Sequence, residues 1–195
     1  MNLQNRVINI LSKPAQEWPV IASEATDVAS LFKEYIMLLA AIPAICGFLG
    51  MTLIGVSVPF MGQIRTPMVS GLAGLVVGYV LSLAGIFLAA FIVDKLAPSF
   101  QSSGGMVQAL KMVAYASTPS WIAGVLQLIP LLGVLALLAG LYGVYLFYLG
   151  LPSVMKTPRD KVIPYMVVSA IVIIVISVVT ASISGVFMGA SRLMY

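Results

Sequence analysis

Three consecutive residues, Thr118–Pro119–Ser120, interrupt a long apolar run, and Tyr115 lies about one helical turn before them. Proline has no backbone N–H, and its ring crowds the carbonyl one turn back, so it disturbs the helix near Tyr115. At membrane depth such a polar break can present carbonyls and hydroxyls to an ion or solute. A simple kink, with the hydroxyls bonded back to their own helix, uses the same residues. The next apolar run carries Tyr142, Tyr145 and Tyr148 at a spacing of three, roughly along one helix face. Tyr115, Thr118, Pro119, Ser120, Tyr142 and Tyr145 therefore form the candidate polar pocket. An aromatic belt at the membrane interface, combined with packing, is the alternative for the tyrosines.

Other chemistry is scarce. The chain has no histidine, so the commonest metal ligand and general base are both missing. None of the six acidic residues pairs with another inside an apolar run. No P-loop, GxGxxG or HExxH pattern occurs. The single cysteine, Cys46, lies in an apolar run with no neighbouring base to lower its pKa, and it cannot form an intrachain disulfide. The expectation is a non-enzyme without catalytic, cofactor-binding or metal-binding residues.

The elements that must position these residues are membrane helices. The chain is 61% hydrophobic and 8% charged, whereas a soluble domain carries ~25% charged residues. The predicted class is all-α and polytopic. Residues 1–34 form a cytoplasmic N-terminal interfacial segment, and 35–195 a five-helix membrane domain. In the first segment the spacing of Leu3, Val7, Ile8, Ile10 and Leu11 suits a short amphipathic helix on the membrane surface. Ser12 and Pro14 restart the chain, because proline is accepted in a first helical turn. Trp18 is expected to anchor at the interface.

Thr26 or Asp27 is the expected cap of a helix running through Lys33 and Glu34 into the first span, Tyr35–Ser57. A short loop, Val58–Pro67, holds Arg65. The second span is about Met68–Val93, with small residues every four positions: Ser70, Gly74, Gly78, Ser82. A face so bare lets another helix approach closely, either within the chain or in a homo-oligomer. Asp94 and Lys95 end it at headgroup level. The third span, Met106–Leu128, and the fourth, Leu131–Leu151, meet at Pro130 in a tight hairpin. After the basic turn Lys156–Lys161 comes the fifth span, 162–190. Its first half is rich in Val and Ile for lipid, and its second repeats Ser177, Ala181, Gly185 and Gly189.

Five spans can be tested against charge. With the N-terminus cytoplasmic, the inner segments hold Arg6, Lys13, Lys33, Lys95, Lys111, Lys156, Arg159 and Lys161, and only Arg65 and Arg192 lie outside. Eight of the ten Lys/Arg then follow the positive-inside rule. The basic turns would meet anionic lipids, so a pI of 9.3 does not imply nucleic-acid binding.

The stretches ALKMVAYASTPSWIAGVLQLIP, LAGLYGVYLFYLGLP and TPRDKVIPY, with LSKPAQEWPVI near the N-terminus, resemble the bacterial branch of the Yip (Ypt/Rab-interacting protein) domain family. The resemblance is most specific from Ala109 to Lys161. It implies a five-helix membrane domain with a cytoplasmic N-terminus. Eukaryotic members are associated with Rab GTPases, vesicle budding and organelle shape, and carry a longer polar region before the membrane domain. Tyr115, Thr118, Pro119, Pro130, Gly140, Tyr142, Gly143, Gly150 and Pro152 match the family pattern as structural positions. The implied function is a bacterial inner-membrane scaffold or adaptor with a membrane-protein partner or a second copy. A small channel or transporter centred on the broken third helix is the alternative.

Overall fold

A computed structural model of the chain describes residues 2–58, 60 and 62–190. The N-terminal segment is two short helices, α1 (Leu3–Ser12) and α2 (Pro14–Ser23). The Asn2 side chain caps α1 by accepting from the Gln4 N–H at 3.1 Å. Lys13 alone separates the two, and Pro14 occupies the first turn of α2 as expected. Most of their apolar residues turn towards the protein, while Ile8 and Val20 stay exposed. Ile10, Trp18 and Ile21 are fully buried, so Trp18 is a core residue here and not the expected interface anchor.

Asp27 caps the next helix. Its carboxylate accepts from the Ser30 N–H and the Ser30 hydroxyl, both at 2.9 Å. From there one helical run continues to Ile54: α3 (Val28–Leu31), a π turn (Phe32–Ile36), α4 (Met37–Leu49) and a second π turn (Gly50–Ile54). Gly55 ends it with φ +77°, in the left-handed region open to glycine. A short antiparallel hairpin follows, β1 (Val56–Val58) with β2 (Gly62–Ile64), so Val56 and Ser57 leave the expected first span and join the expected loop. Then come α5 (Met68–Leu96), a 3-10 turn (Ala97–Phe100), and α6 (Met106–Ala123). Two further 3-10 turns, Gly124–Leu128 and Pro130–Leu135, make the tight connection into α7 (Ala136–Val154). The last helix is α8 (Arg159–Ala190).

The core is built around α6. Its residues Ala109 to Ala116 are all buried, with α5 and α7 against it; α8 packs on α5 and α7, and α1 and α2 close one end. Gly143 lets α7 approach the α6 backbone, since a Cβ there would lie 2.6 Å from the Ala116 carbonyl oxygen. By length and composition, three helical runs suffice to cross a membrane among the described residues: Val28–Ile54, Met68–Phe100 and Pro130–Val154. The expectation of five such spans is thus met in three. Because α6 is sheathed by protein, it can carry Lys111 and several hydroxyls that a lipid-facing helix would exclude. Along α8 the exposed residues Ile163, Val167, Ile171, Ile174 and Val178 form the expected apolar outer face. The side chains of Ser177, Ala181, Gly185 and Gly189 lie outside the described residues.

Candidate functional site

The most polar part of the interior lies where α1 and α2 meet the start of α6. Arg6, on α1, is 3% exposed, and Lys111, one and a half turns into α6, is 2% exposed. Buried cations persist only when paired and hydrogen-bonded. The Arg6 guanidinium donates to the Glu17 carboxylate at 2.5 Å and, with its other nitrogen, to the Glu24 carboxylate. Lys111 Nζ donates to the backbone carbonyls of Ile21 (2.7 Å) and Glu24 (2.6 Å). These are carbonyls at the C-terminal end of α2, where a cation also complements the helix dipole. Two positive and two negative side chains thus lock α1 and α2 onto α6 with no net formal charge.

Aromatic rings extend the lock into the bundle. Arg6 sits over the Tyr115 ring, 5.5 Å from its centroid. Tyr115 meets Trp18 edge-on at 6.3 Å and Tyr35 at 4.5 Å between centroids. The Tyr35 hydroxyl and Thr118 Oγ1 share a hydrogen bond of 2.7 Å. Trp18 fits because position 150 is glycine. A Cβ there would lie 2.8 Å from both the indole ring and Met112 Sδ. Beside the lock is a cavity of about 360 Å³, with Arg6, Glu24, Asp27, Ser30, Glu34 and Tyr115 on its wall. Asp27 and Glu34 stand exposed at its rim. The Ser30 backbone N–H, with its hydroxyl second, holds the Asp27 carboxyl below the usual carboxylate range.

The six residues of the predicted pocket do not share one cavity. Tyr115 and Thr118 belong to the lock. Pro119 is buried, and α6 stays helical through it, so the expected break near Tyr115 is not there. Ser117 and Thr118 bond back to the carbonyls of Val113 (2.7 Å) and Ala114 (3.4 Å). The helix changes character only at Gly124, where the chain passes so close to α4 that a Cβ would meet Pro43 at 2.6 Å. Ser120 faces a different, largely apolar cavity between α6, α7 and α8. Tyr142 donates to the Leu11 carbonyl at 2.7 Å and so ties α7 to the end of α1. Tyr145 stacks loosely on Tyr142, at 5.8 Å, and is half-exposed.

Sequence reasoning missed Arg6, Glu17, Glu24 and Tyr35, and placed Arg6 and Lys111 among the headgroup-facing cations. Lys111 carried a signal, because it sits inside an apolar run with no acidic residue nearby in sequence. Among the described residues no cluster of three His, Cys, Asp or Glu could hold a metal ion. The lock's charged groups are engaged with one another and with backbone, an arrangement suited to holding a shape.

Residues 8–181 match the Yip1 domain. The chain is 28% identical over 160 residues to "Inner membrane protein YohC" of Escherichia coli strain K12, and equally to its namesake in E. coli O6:H1 strain CFT073. The alignment covers 80% of this chain and 82% of each relative. No solved structure matches it.

Proposed function

This chain belongs to the Yip1 domain family and is an integral membrane protein; from that premise we propose that it is a non-enzymatic scaffold or adaptor of the bacterial inner membrane. The observation that carries the reading is the lock. It turns residues 3–24 from a tail into a fixed polar surface at one end of the bundle. The two connecting turns at this end support each other: Ser102 Oγ and Thr157 Oγ1 lie 2.8 Å apart, and the Ser103 N–H donates to the Met155 carbonyl at 2.9 Å. A partner would meet this assembled face, with its acidic rim at Asp27 and Glu34 and its basic turn at Lys156–Lys161.

In this reading all five long helices cross the bilayer, α6 within the protein and α8 along its edge. The N-terminus and the lock are cytoplasmic, since most Lys/Arg cluster there, and the C-terminus is outside. The relatives' description as inner membrane proteins supports the location.

The test is gentle extraction of the tagged chain into lipid particles, followed by mass spectrometry and cross-linking from Lys156 and Lys161. A partner in near-equal amount, cross-linked there and released by Arg6→Leu, is the expected result. Recovery of only the chain itself with lipid would overturn the adaptor reading.

A further inference from the structure

Helices α4 and α5 touch at two levels and part between them. Near the hairpin, a Cβ on Gly71 would lie 2.8 Å from Thr52 Cγ2 and 3.1 Å from the Phe48 ring. Further along, the Tyr79 hydroxyl donates to the Met37 carbonyl at 2.9 Å. Between these contacts Gly78 meets nothing within 4 Å, and a groove of about 350 Å³ runs along Gly74, Gly78 and Ser82. Within this chain three residues of the small-residue stripe, Gly74, Gly78 and Ser82, therefore line an open furrow. At its hairpin end stands Thr66, 4% exposed, whose Oγ1 has no hydrogen-bond partner among the described residues. A buried hydroxyl left unpaired costs ~1–3 kcal/mol, so it marks where a ligand oxygen would sit. The Thr66 backbone is fixed by its N–H to the Met51 carbonyl at 3.0 Å.

We propose that this groove holds one acyl chain of a phospholipid, with its ester carbonyl accepting from Thr66 and its phosphate facing Arg65. Three features favour this occupant over a helix of a second copy. From Gly71 to Ser82 the furrow is ~16 Å long at 1.5 Å per residue, about one leaflet of a ~30 Å hydrocarbon core. Arg65 is the sole charge between Gly55 and Pro67 and is exposed beside the mouth, complementary to a phosphate. The hairpin also presents Val56, Phe60 and Ile64 outward, as a segment resting in the membrane interface would.

The full chain is reconstituted in particles of phosphatidylethanolamine and phosphatidylglycerol, with a photoactivatable diazirine in the phosphatidylglycerol acyl chain. After irradiation the adducts are mapped by mass spectrometry. Adducts should concentrate on residues 43–52 and 71–82. They should fall about tenfold in Gly78→Leu, which fills the groove, and roughly threefold in Thr66→Val, which removes only the hydroxyl. Gly133→Leu, at another glycine with open space around it, should leave them unchanged. Adducts spread evenly over the outer faces of α5 and α8, indifferent to Gly78→Leu and Thr66→Val, would overturn the proposal. So would adduct-free grooves with disulfide-linked dimers from Gly78→Cys in a Cys46→Ala background, which would make a second copy the occupant.

Discussion

The two ends of the bundle solve opposite problems with opposite residues. At the lock, long charged and aromatic side chains from α1, α2, α6 and the π turn converge, and glycine at 150 is needed because Trp18 and Met112 fill the space above it. Between α4 and α5 the groove runs along Gly74, Gly78 and Ser82, and a Cβ on Gly78 would meet nothing within 4 Å. Gly150 thus marks a close contact and Gly78 a vacancy. A small-residue stripe predicts that helices can approach, and the groove shows that they need not.

The largest effect should come from unpairing the lock. Arg6→Leu leaves Glu17 buried without its cation, which should destabilise the docked segment by ~3–5 kcal/mol. Proteolysis or hydrogen exchange of residues 3–24 in lipid particles would report it, and adding Glu17→Leu should restore much of the protection. If Arg6→Leu leaves protection intact, the ends differ less than their chemistry suggests.

A matched glycine pair sharpens the contrast. Gly150→Val should cost ~1–3 kcal/mol by overpacking and shift Trp18 fluorescence to the red in a Trp121→Phe background. Gly78→Ala, at a helical position with open space, should instead be stabilising by ~0.4–1 kcal/mol. Equal thermal shifts for the two would erase the distinction.

The smallest effect concerns pH at the Asp27 cap. Its carboxyl titrates below the ordinary range because Ser30 donates to the charged form. Its contribution is therefore present above the ordinary carboxylate pKa and lost as pH falls through the lowered one. The protection factor of the Ser30 amide, taken against its intrinsic exchange rate at each pH, should fall on acidification while the deeper lock stays protected. Asp27→Asn, which still caps, should flatten that dependence.

Much of this architecture was legible in local chemistry. The Asp27 cap, the restart at Pro14, the tight connection at Pro130 and the apolar face of α8 all follow from residues within a turn or two of each other. What joins distant parts was not. Arg6 reads as one more inner-side cation, Glu17 and Glu24 draw no reading, and Trp18 reads as an interfacial ring, because helical periodicity says which face is apolar but not what will cover it. Pro119 misled for a related reason. The two hydroxyls before it, on Ser117 and Thr118, bond back into α6, which stays helical through Pro119. The hairpin leaves little trace in the sequence because each strand has only three residues, so Val56 and Ser57 read as the end of the first span and the rest as loop.

The bond from Lys111 to the Glu24 carbonyl spans 87 positions, and that separation is also an interval of time. At ~5–20 residues per second of synthesis, the first three charges of the lock leave the ribosome ~4–17 s before the fourth. Throughout that interval the start of the chain has nowhere to dock and stays accessible to whatever handles nascent membrane proteins. A chain stopped before residue 111 would keep its beginning permanently in that undocked condition.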